Sequence, residues 1–253
     1  MSQRQTATSQ ILGGHNVSII QFPTDWYSFS SGSFFLSTIN FKSVSPWTGR
    51  QSISGPNSQL WQAEVTFSMQ ARQQWAAIEG MLAQVSGQSG LLRFGDFAKR
   101  RPLRDLEAAG FSSPWSDSTF FSDGTGWVDG LLPPFIYATE TAARGATSVV
   151  VGGLPASEAR VLRRGDNFEH RPNGVYDETP RFHIITRDAP TDADGKTRLQ
   201  FLPPLRGGVA AGDMIVLTDP MSVFRLADDN QGVVTRTSPD FGDLGFKMVE
   251  AIV

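Results

Sequence analysis

The chain has 253 residues, 40% of them hydrophobic and 19% charged, with a formal net charge of -3. That length allows one large domain or two modest ones with a sizeable core, and the charge balance excludes the basic footprint of a nucleic-acid-binding surface. With no cysteine at all, disulfides, thiolate metal sites, cysteine nucleophiles and thiolate-held iron–sulfur clusters are excluded.

The opening MSQRQTATSQ is polar and lacks an apolar core, so no secretory signal is expected. No apolar run approaches the ~18 residues of a membrane span, so no membrane insertion is expected. Segments 17-22 and 34-42 read as strands, and the Ser/Gly/Pro-rich 43-59 as a loop. In the stretch LWQAEVTFS, Trp61, Ala63, Val65 and Phe67 alternate with Gln62, Glu64, Thr66 and Ser68, the period-two pattern of a half-buried strand. The period then changes. Trp75, Ile78, Leu82 and Val85 fall at helical spacing, which predicts one flanking helix over about 69-86, with Ser68 as N-cap and Gly87 just past the end. Gly80 inside it costs ~1 kcal/mol against alanine. A short strand, 91-95, follows, and then an irregular stretch, 96-134, of a length expected only where a loop is functional or fixed by a partner.

From 135 to 218 the chain reads as an all-β unit, with strands at 135-140, 147-151, 159-162, 181-187, 197-202 and 214-218 and a hairpin turn at Asp194-Gly195. Further strands are expected at 223-226 and at the end, 246-253. A terminal strand pairs back into an earlier sheet, so the expected organisation is 1-134 together with 219-253 as one domain and 135-218 inserted as an outer β domain, a barrel or sandwich. No exact internal repeat is visible. Two segments do share a device: L162-R-R-G-D166 and A211-G-D-M-I-V-L217 both place Gly-Asp before an apolar run, the glycine free to take φ > 0 and the aspartate able to bond nearby backbone N–H groups. F94-G-D-F97 is a looser third case.

The first of these contains Arg164-Gly165-Asp166, the tripeptide that adhesion receptors recognise, and is followed by Glu169 and His170, which with Asp166 offer metal-ligand chemistry. A turn feeding a strand explains the same residues without receptor or metal. The histidines are His15, His170 and His183, and none sits in a hydrolase elbow or a zinc-protease helix. Asp177-Glu178 and Asp228-Asp229 are adjacent carboxylates, which on a strand point to opposite faces. The loop 188-195 has Pro190 where a calcium loop needs its first aspartate. The expectation is no catalytic residues, no metal and no cofactor. Of the six tryptophans, Trp61 and Trp75 lie on apolar faces and read as core. Trp47, Trp115 and Trp127 lie in Gly/Ser/Pro-rich loops. Subunit contact, packing within their own domain and carbohydrate binding are all open to them, with subunit contact the expectation.

The segment from Arg72 to Asp96, a helix leading through a Gly-containing turn to a short strand ending in Gly-Asp, resembles tail-tip proteins of long-tailed, siphovirus-like bacteriophages. So do, in order, L162-R-R-G-D166, D192-A-D-G-K-T-R-L-Q-F-L-P-P-L-R206, G212-D-M-I-V-L217, F224-R-L226 and K247-M-V-E-A-I-V253. The resemblance implies a distal tail protein or a close relative: a mainly β, tail-tube-like sandwich with one flanking helix that assembles as a homo-hexameric ring, and a second β domain outside it. Its partners would be the tail tube protein and the baseplate hub protein, with DNA passing through the lumen, and its place the virion tail tip. The lack of cysteine argues against the minor tail proteins of the same neighbourhood that hold an iron–sulfur cluster. The alternative is a host-surface carbohydrate-binding module carried by 135-218.

Overall fold

The computed structural model describes residues 9–12, 15–22, 30–38, 41–54, 59–107, 112–113, 127–128, 132–175, 179, 181–236 and 240–251. It is mainly β, 43% strand and 13% helix, with a closed six-stranded barrel. In chain order the elements are β1 (Ser9–Leu12), β2 (His15–Gln21), β3 (Ser31–Thr38), β4 (Phe41–Val44), β5 (Gln51–Ser54), β6 (Gln59–Ala71), α1 (Arg72–Val85), β7 (Leu91–Phe94) and α2 (Leu103–Glu107). Then follow β8 (Ser112–Ser113), β9 (Trp127–Val128), β10 (Phe135–Ala138), β11 (Ser148–Gly152), β12 (Asn167–Arg171), β13 (Phe182–Ile185), β14 (Thr197–Leu202) and β15 (Met214–Val216). The last are β16 (Ser222–Leu226), β17 (Thr235–Arg236) and β18 (Phe241–Glu250).

The chain divides into two compact units. One comprises Met1–Phe94, Glu178–Pro180 and Ser222–Val253, the other Gly95–Asp177 and Arg181–Met221. The breaks therefore fall at 94/95 and 221/222 rather than at the expected 134/135 and 218/219. The reason is hydrogen bonding that a scan for strands does not see. Leu103 donates its N–H to the Asp166 carboxylate at 2.8 Å, and Leu132 donates to Asp105 at 2.9 Å. The Arg104 guanidinium grips Glu158 at 2.6 Å. These contacts tie α2 to the barrel unit and to Leu132.

In the first unit the sheet order is β1-β2-β7-β16-β18-β6-β3, with β17 beside β18. All pairings are antiparallel except β2 with β7. The alternation read in LWQAEVTFS holds: Trp61, Ala63, Val65 and Phe67 are buried, and Leu244, Phe246 and Met248 of β18 stand opposite on the same face. Phe22 joins them, its ring centroid 5.7 Å from Phe67, 5.5 Å from Phe94 and 5.9 Å from Phe246. The Phe22 ring, stacked on Phe67, edge-to-face on Phe94 and tilted on Phe246, adds ring–ring attraction to the ~1.5–3 kcal/mol that full burial of each is worth. Helix α1 buries Trp75, Ile78, Leu82 and Val85, the expected stripe. It starts later than expected, because β6 runs on to Ala71. The N-cap position is Ala71, whose N–H donates to the Gln74 side-chain oxygen at 3.2 Å, while Ser68 hydrogen-bonds Ser30 instead. At the other end Ser86 and Gly87 both take the left-handed conformation, φ 56° and 66°. The expected loop 43-59 holds a hairpin, β4 with β5, in register from Phe41↔Ser54 to Val44↔Gln51.

In the second unit the barrel order is β10-β11-β14-β13-β12-β15. Its interior is filled from every strand, with Ile136, Val149, Phe168, Ile185, Leu199 and Ile215 all nearly inaccessible to solvent. The expected strand at 159-162 is not one. Leu162 makes a single bridge to Ala189, and the strand lies at 167–171. The pairings repeat. β10 with β11 matches β13 with β14, and β10 with β15 matches β13 with β12. Phe135, Ala138, Ala142, Leu162, Asp166 and Glu169 thus correspond to Phe182, Ile185, Ala189, Val209, Asp213 and Val216. The two remaining pairings, β11–β14 and β12–β15, each join a strand to its own counterpart in the other half, centred on Val149↔Leu199 and Glu169↔Val216. The barrel is two interlocked copies of one strand–strand–turn–strand unit, a repeat of topology that the sequence alone did not disclose.

Candidate functional site

The stretch with the most chemistry-bearing residues, 161–170, is the first of the two repeated turns. Gly165 has φ 96° and Gly212 has φ 94°. Gly165 donates to the Ile185 carbonyl and Ile185 donates back to that of Asp166, both at 2.8 Å. Gly212 and Ala138 repeat the exchange, with Ala138 donating to Asp213 at 2.9 Å. Each aspartate closes its own turn: Asp166 Oδ2 accepts the Arg163 N–H at 2.7 Å, and Asp213 Oδ2 accepts that of Ala210 at 2.8 Å. The second oxygen of Asp166 accepts from Leu103. Burial pushes the Asp166 carboxyl above its ordinary range, and those two N–H groups oppose the shift only in part. Asp166 is buried, so the adhesion tripeptide does not present the carboxylate that a receptor needs. Gly95-Asp96 is a different device. Gly95 keeps a negative φ, and Asp96 accepts the N–H of Ala98, two residues on.

Asp166, Glu169 and His170 do not converge. Asp166 ends the turn, and Glu169 and His170 leave opposite faces of β12. Glu169 takes a bidentate pair from Arg171, both contacts at 2.9 Å, and the Met221 N–H at 3.0 Å. His170 Nε2 lies 2.9 Å from Asp213 Oδ2, and its Nδ1 faces Arg181 at 3.5 Å. Burial raises the Asp213 pKa, but the N–H of Ala210, the His170 ring and the N–H of Asn173 together outweigh it and hold the carboxyl below its usual value. His183 sits inside the barrel, stacked on Phe168 at 5.1 Å with an interplanar angle of 27°, with Phe201 edge-on at 4.8 Å. Its Nδ1 donates to the Pro203 carbonyl at 2.9 Å, and Nε2 has no partner among the described residues. Burial is the main cause that pushes its pKa down to about 3. A ring so weakly basic takes no proton near neutral pH. Among the described residues no three His, Asp or Glu are placed to hold a metal.

The other candidate carboxylates accept backbone N–H groups. Asp192 accepts the N–H groups of Asp194 and Lys196, at 2.9 and 2.8 Å, which accounts for the 188-195 loop as a hairpin. Asp229 accepts the Gln88 N–H at 2.8 Å and Asp228 that of Asn230 at 3.2 Å. Asp177 and Glu178 lie outside the described residues, and of His15 only its place on β2 is described.

Of the three interface tryptophans, Trp115 lies outside the described residues, and Trp127 is placed only by its backbone, paired with Ser113 in β8–β9. Trp47 is 94% exposed. It stands at the tip of the β4–β5 hairpin on a hydrogen-bonded turn. Ser45 donates to the Arg50 carbonyl at 2.9 Å, Gly49 to Ser45 at 3.0 Å, and Gly49 takes φ 64°. The hairpin forms a sheet of its own. Among the described residues, the strand before it, β3, is the last of its sheet. Its sequence, SGSFFLST, has no charge and no proline, and it pairs with β6 without a bulge from Ser31↔Thr66 to Thr38↔Gln59. Phe35 on it is 47% exposed. Free edges are ordinarily blunted by lysine, proline or a bulge, and β3 has none of these. Sequence reasoning named Trp47 but missed the hairpin that presents it. The only signal was the turn chemistry of Pro46 and Gly49. No protein-family model and no curated protein matches the chain.

Proposed function

We propose that the chain is a structural component of a bacteriophage tail tip, a distal-tail-like protein whose copies close into a ring, in the resembling proteins a hexamer, between the tail tube protein and the baseplate hub protein. The observation that carries this reading is the neutral, unbulged edge of β3 followed directly by a hairpin that holds Trp47 in solvent. A ring needs a heterologous contact, one surface that projects and another that receives, repeated about an axis. An open strand edge supplies main-chain hydrogen bonds, and an exposed tryptophan on a rigid turn supplies a hot-spot anchor at small entropic cost. The work is done by shape and association, with no reactive group. A net charge of -3 is compatible with a lumen that lets DNA pass without holding it, because phosphate contacts dominate that affinity.

Negative-stain imaging of the concentrated protein, with light scattering for mass, tests it. Rings with a central pore are expected, and Phe35→Lys or Trp47→Ala should return them to monomers with unchanged circular dichroism. A protein that stays monomeric at high concentration and is missing from virion tails sinks the reading.

A further inference from the structure

The repeat inside the barrel supplies its own control. Ile136, Ile215 and Val151 of one half correspond to His183, Phe168 and Phe201 of the other. All six side chains are buried. In the first half the place is filled by three aliphatic groups, so the strand pairing itself does not require an imidazole there. In the second half the His183 ring is stacked on Phe168, with Phe201 edge-on. Its Nδ1–H donates to the Pro203 carbonyl at 2.9 Å, which leaves the lone pair of Nε2 facing no partner among the described residues. An ordinary core position has become one that carries a basic nitrogen sealed from water.

The surroundings reject a proton on that nitrogen. Burial is the main cause that lowers the basicity of the ring, and the Pro203 carbonyl opposes it. His170 on β12, Arg206 beyond β14 and Arg181 just before β13 act in the same direction as burial, since each adds positive charge. The Asp213 carboxylate is engaged elsewhere: it accepts from Ala210 and Asn173 and lies 2.9 Å from His170 Nε2. An imidazolium inside the barrel would therefore bury a charge between two phenyl rings, with no acceptor for its second N–H among the described residues. In water the same ring takes a proton at mildly acid pH. The proton thus binds the open barrel in preference to the closed one, and a ligand that prefers one state shifts the balance toward it.

We propose that His183 makes the barrel an acid-operated switch, closed while the ring is neutral and opened by the proton that Nε2 takes once the ring leaves Phe168 and Phe201. The switch stands whether or not the chain forms rings. The test uses the full chain. Ile185, Thr186 and Phe201 donate their N–H groups to the carbonyls of Asp166, Gln200 and Thr147 beside the ring. Hydrogen exchange at these amides, corrected for its intrinsic pH dependence, reads the ratio of open to closed barrel. From pH 7 to pH 4, His183 alone should raise that ratio on the order of a hundredfold. His183→Ile installs the residue of the corresponding position, and its rise over the same range should be smaller by about tenfold or more. Asp96 and Asp166, which favour the closed state in acid, are the same in both proteins and cancel from the comparison. A gap between the two proteins below about tenfold overturns the proposal. The wild-type ring gives a second test that needs no variant. Its neutral Nδ1–H nitrogen signals should vanish together with the protection of those amides, and an imidazolium signal from His183 while the amides stay protected overturns it as well.

Discussion

Replacing Asp166 by alanine tests the meaning of the 161–170 stretch most directly. The Asp166 carboxylate accepts two backbone N–H groups, from Arg163 at 2.7 Å and Leu103 at 2.8 Å, from a buried position. A hydrogen bond to a charged group contributes roughly 1.5–3 kcal/mol, and a buried N–H left without an acceptor costs about 1–3 kcal/mol. Against this stands the cost of holding a buried carboxylate ionised, visible as its raised pKa. The net expectation for Asp166→Ala is a loss of about 2–4 kcal/mol. Asp166→Asn should lose about half of that, because the amide oxygen can still serve one donor. The assay is urea denaturation, with hydrogen exchange at the Arg163 and Leu103 amides as the local readout. Both amides should lose protection in the alanine variant. A cost below about 0.5 kcal/mol, within the range of an ordinary surface change, or continued protection of both amides, refutes the turn-closing role. Metal bound by the wild type and lost with this substitution would restore the ligand reading.

Gly80→Ala should stabilise the first unit by about 0.5–1 kcal/mol in thermal or urea unfolding, because a Cβ there meets nothing within 4 Å and the helix gains propensity. Gly232→Ala should destabilise it by more than 1 kcal/mol, since φ is 77° and the new methyl would collide with the Leu82 side chain; equal stability would show that the segment yields freely. His183 should remain a neutral Nδ1–H tautomer at pH 5, read from its ring nitrogen shifts, and an imidazolium signature with a midpoint above 5 contradicts its placement. The sign of its effect on stability follows. With a folded pKa of about 3 against an unfolded 6.5, its contribution is complete above about pH 6.5. It declines as pH falls from there, levelling off only below about 3. Asp96 and Asp166, both raised by burial, act the other way: what they contribute is present at low pH and is lost as pH rises through their folded pKa values. The wild-type acid profile should therefore be shallower than His183 alone would make it.

Several features were legible because they depend on local pattern. The alternation of Trp61, Ala63, Val65 and Phe67 is a statement about two faces of one strand, and the spacing of Trp75, Ile78, Leu82 and Val85 about one face of a helix. The turn at Gly165-Asp166 was legible for the same reason, since φ > 0 is a property of a single residue. The N-cap failed because a competing strand extended over Ser68. The loop 43-59 failed because a short hairpin with mixed polarity carries almost no period. The candidate site was half visible. Trp47 could be named, but its near-complete exposure depends on where the rest of the chain does not go.

The sequence by itself thus determined the β-rich class, the one long helix, the buried stripes and the two Gly-Asp turns, all set by residues within a few positions of one another. Only the tertiary structure decided that the two turns are equivalent halves of one barrel, because that equivalence lies in which distant strands exchange N–H and C=O groups, and almost any side chain can sit on such a ladder. It also decided that residues from Gly95 on belong with the barrel, through single hydrogen bonds such as Leu103 to Asp166. And it brought His183, Phe168 and Phe201 together, by strand register that no spacing along the chain encodes.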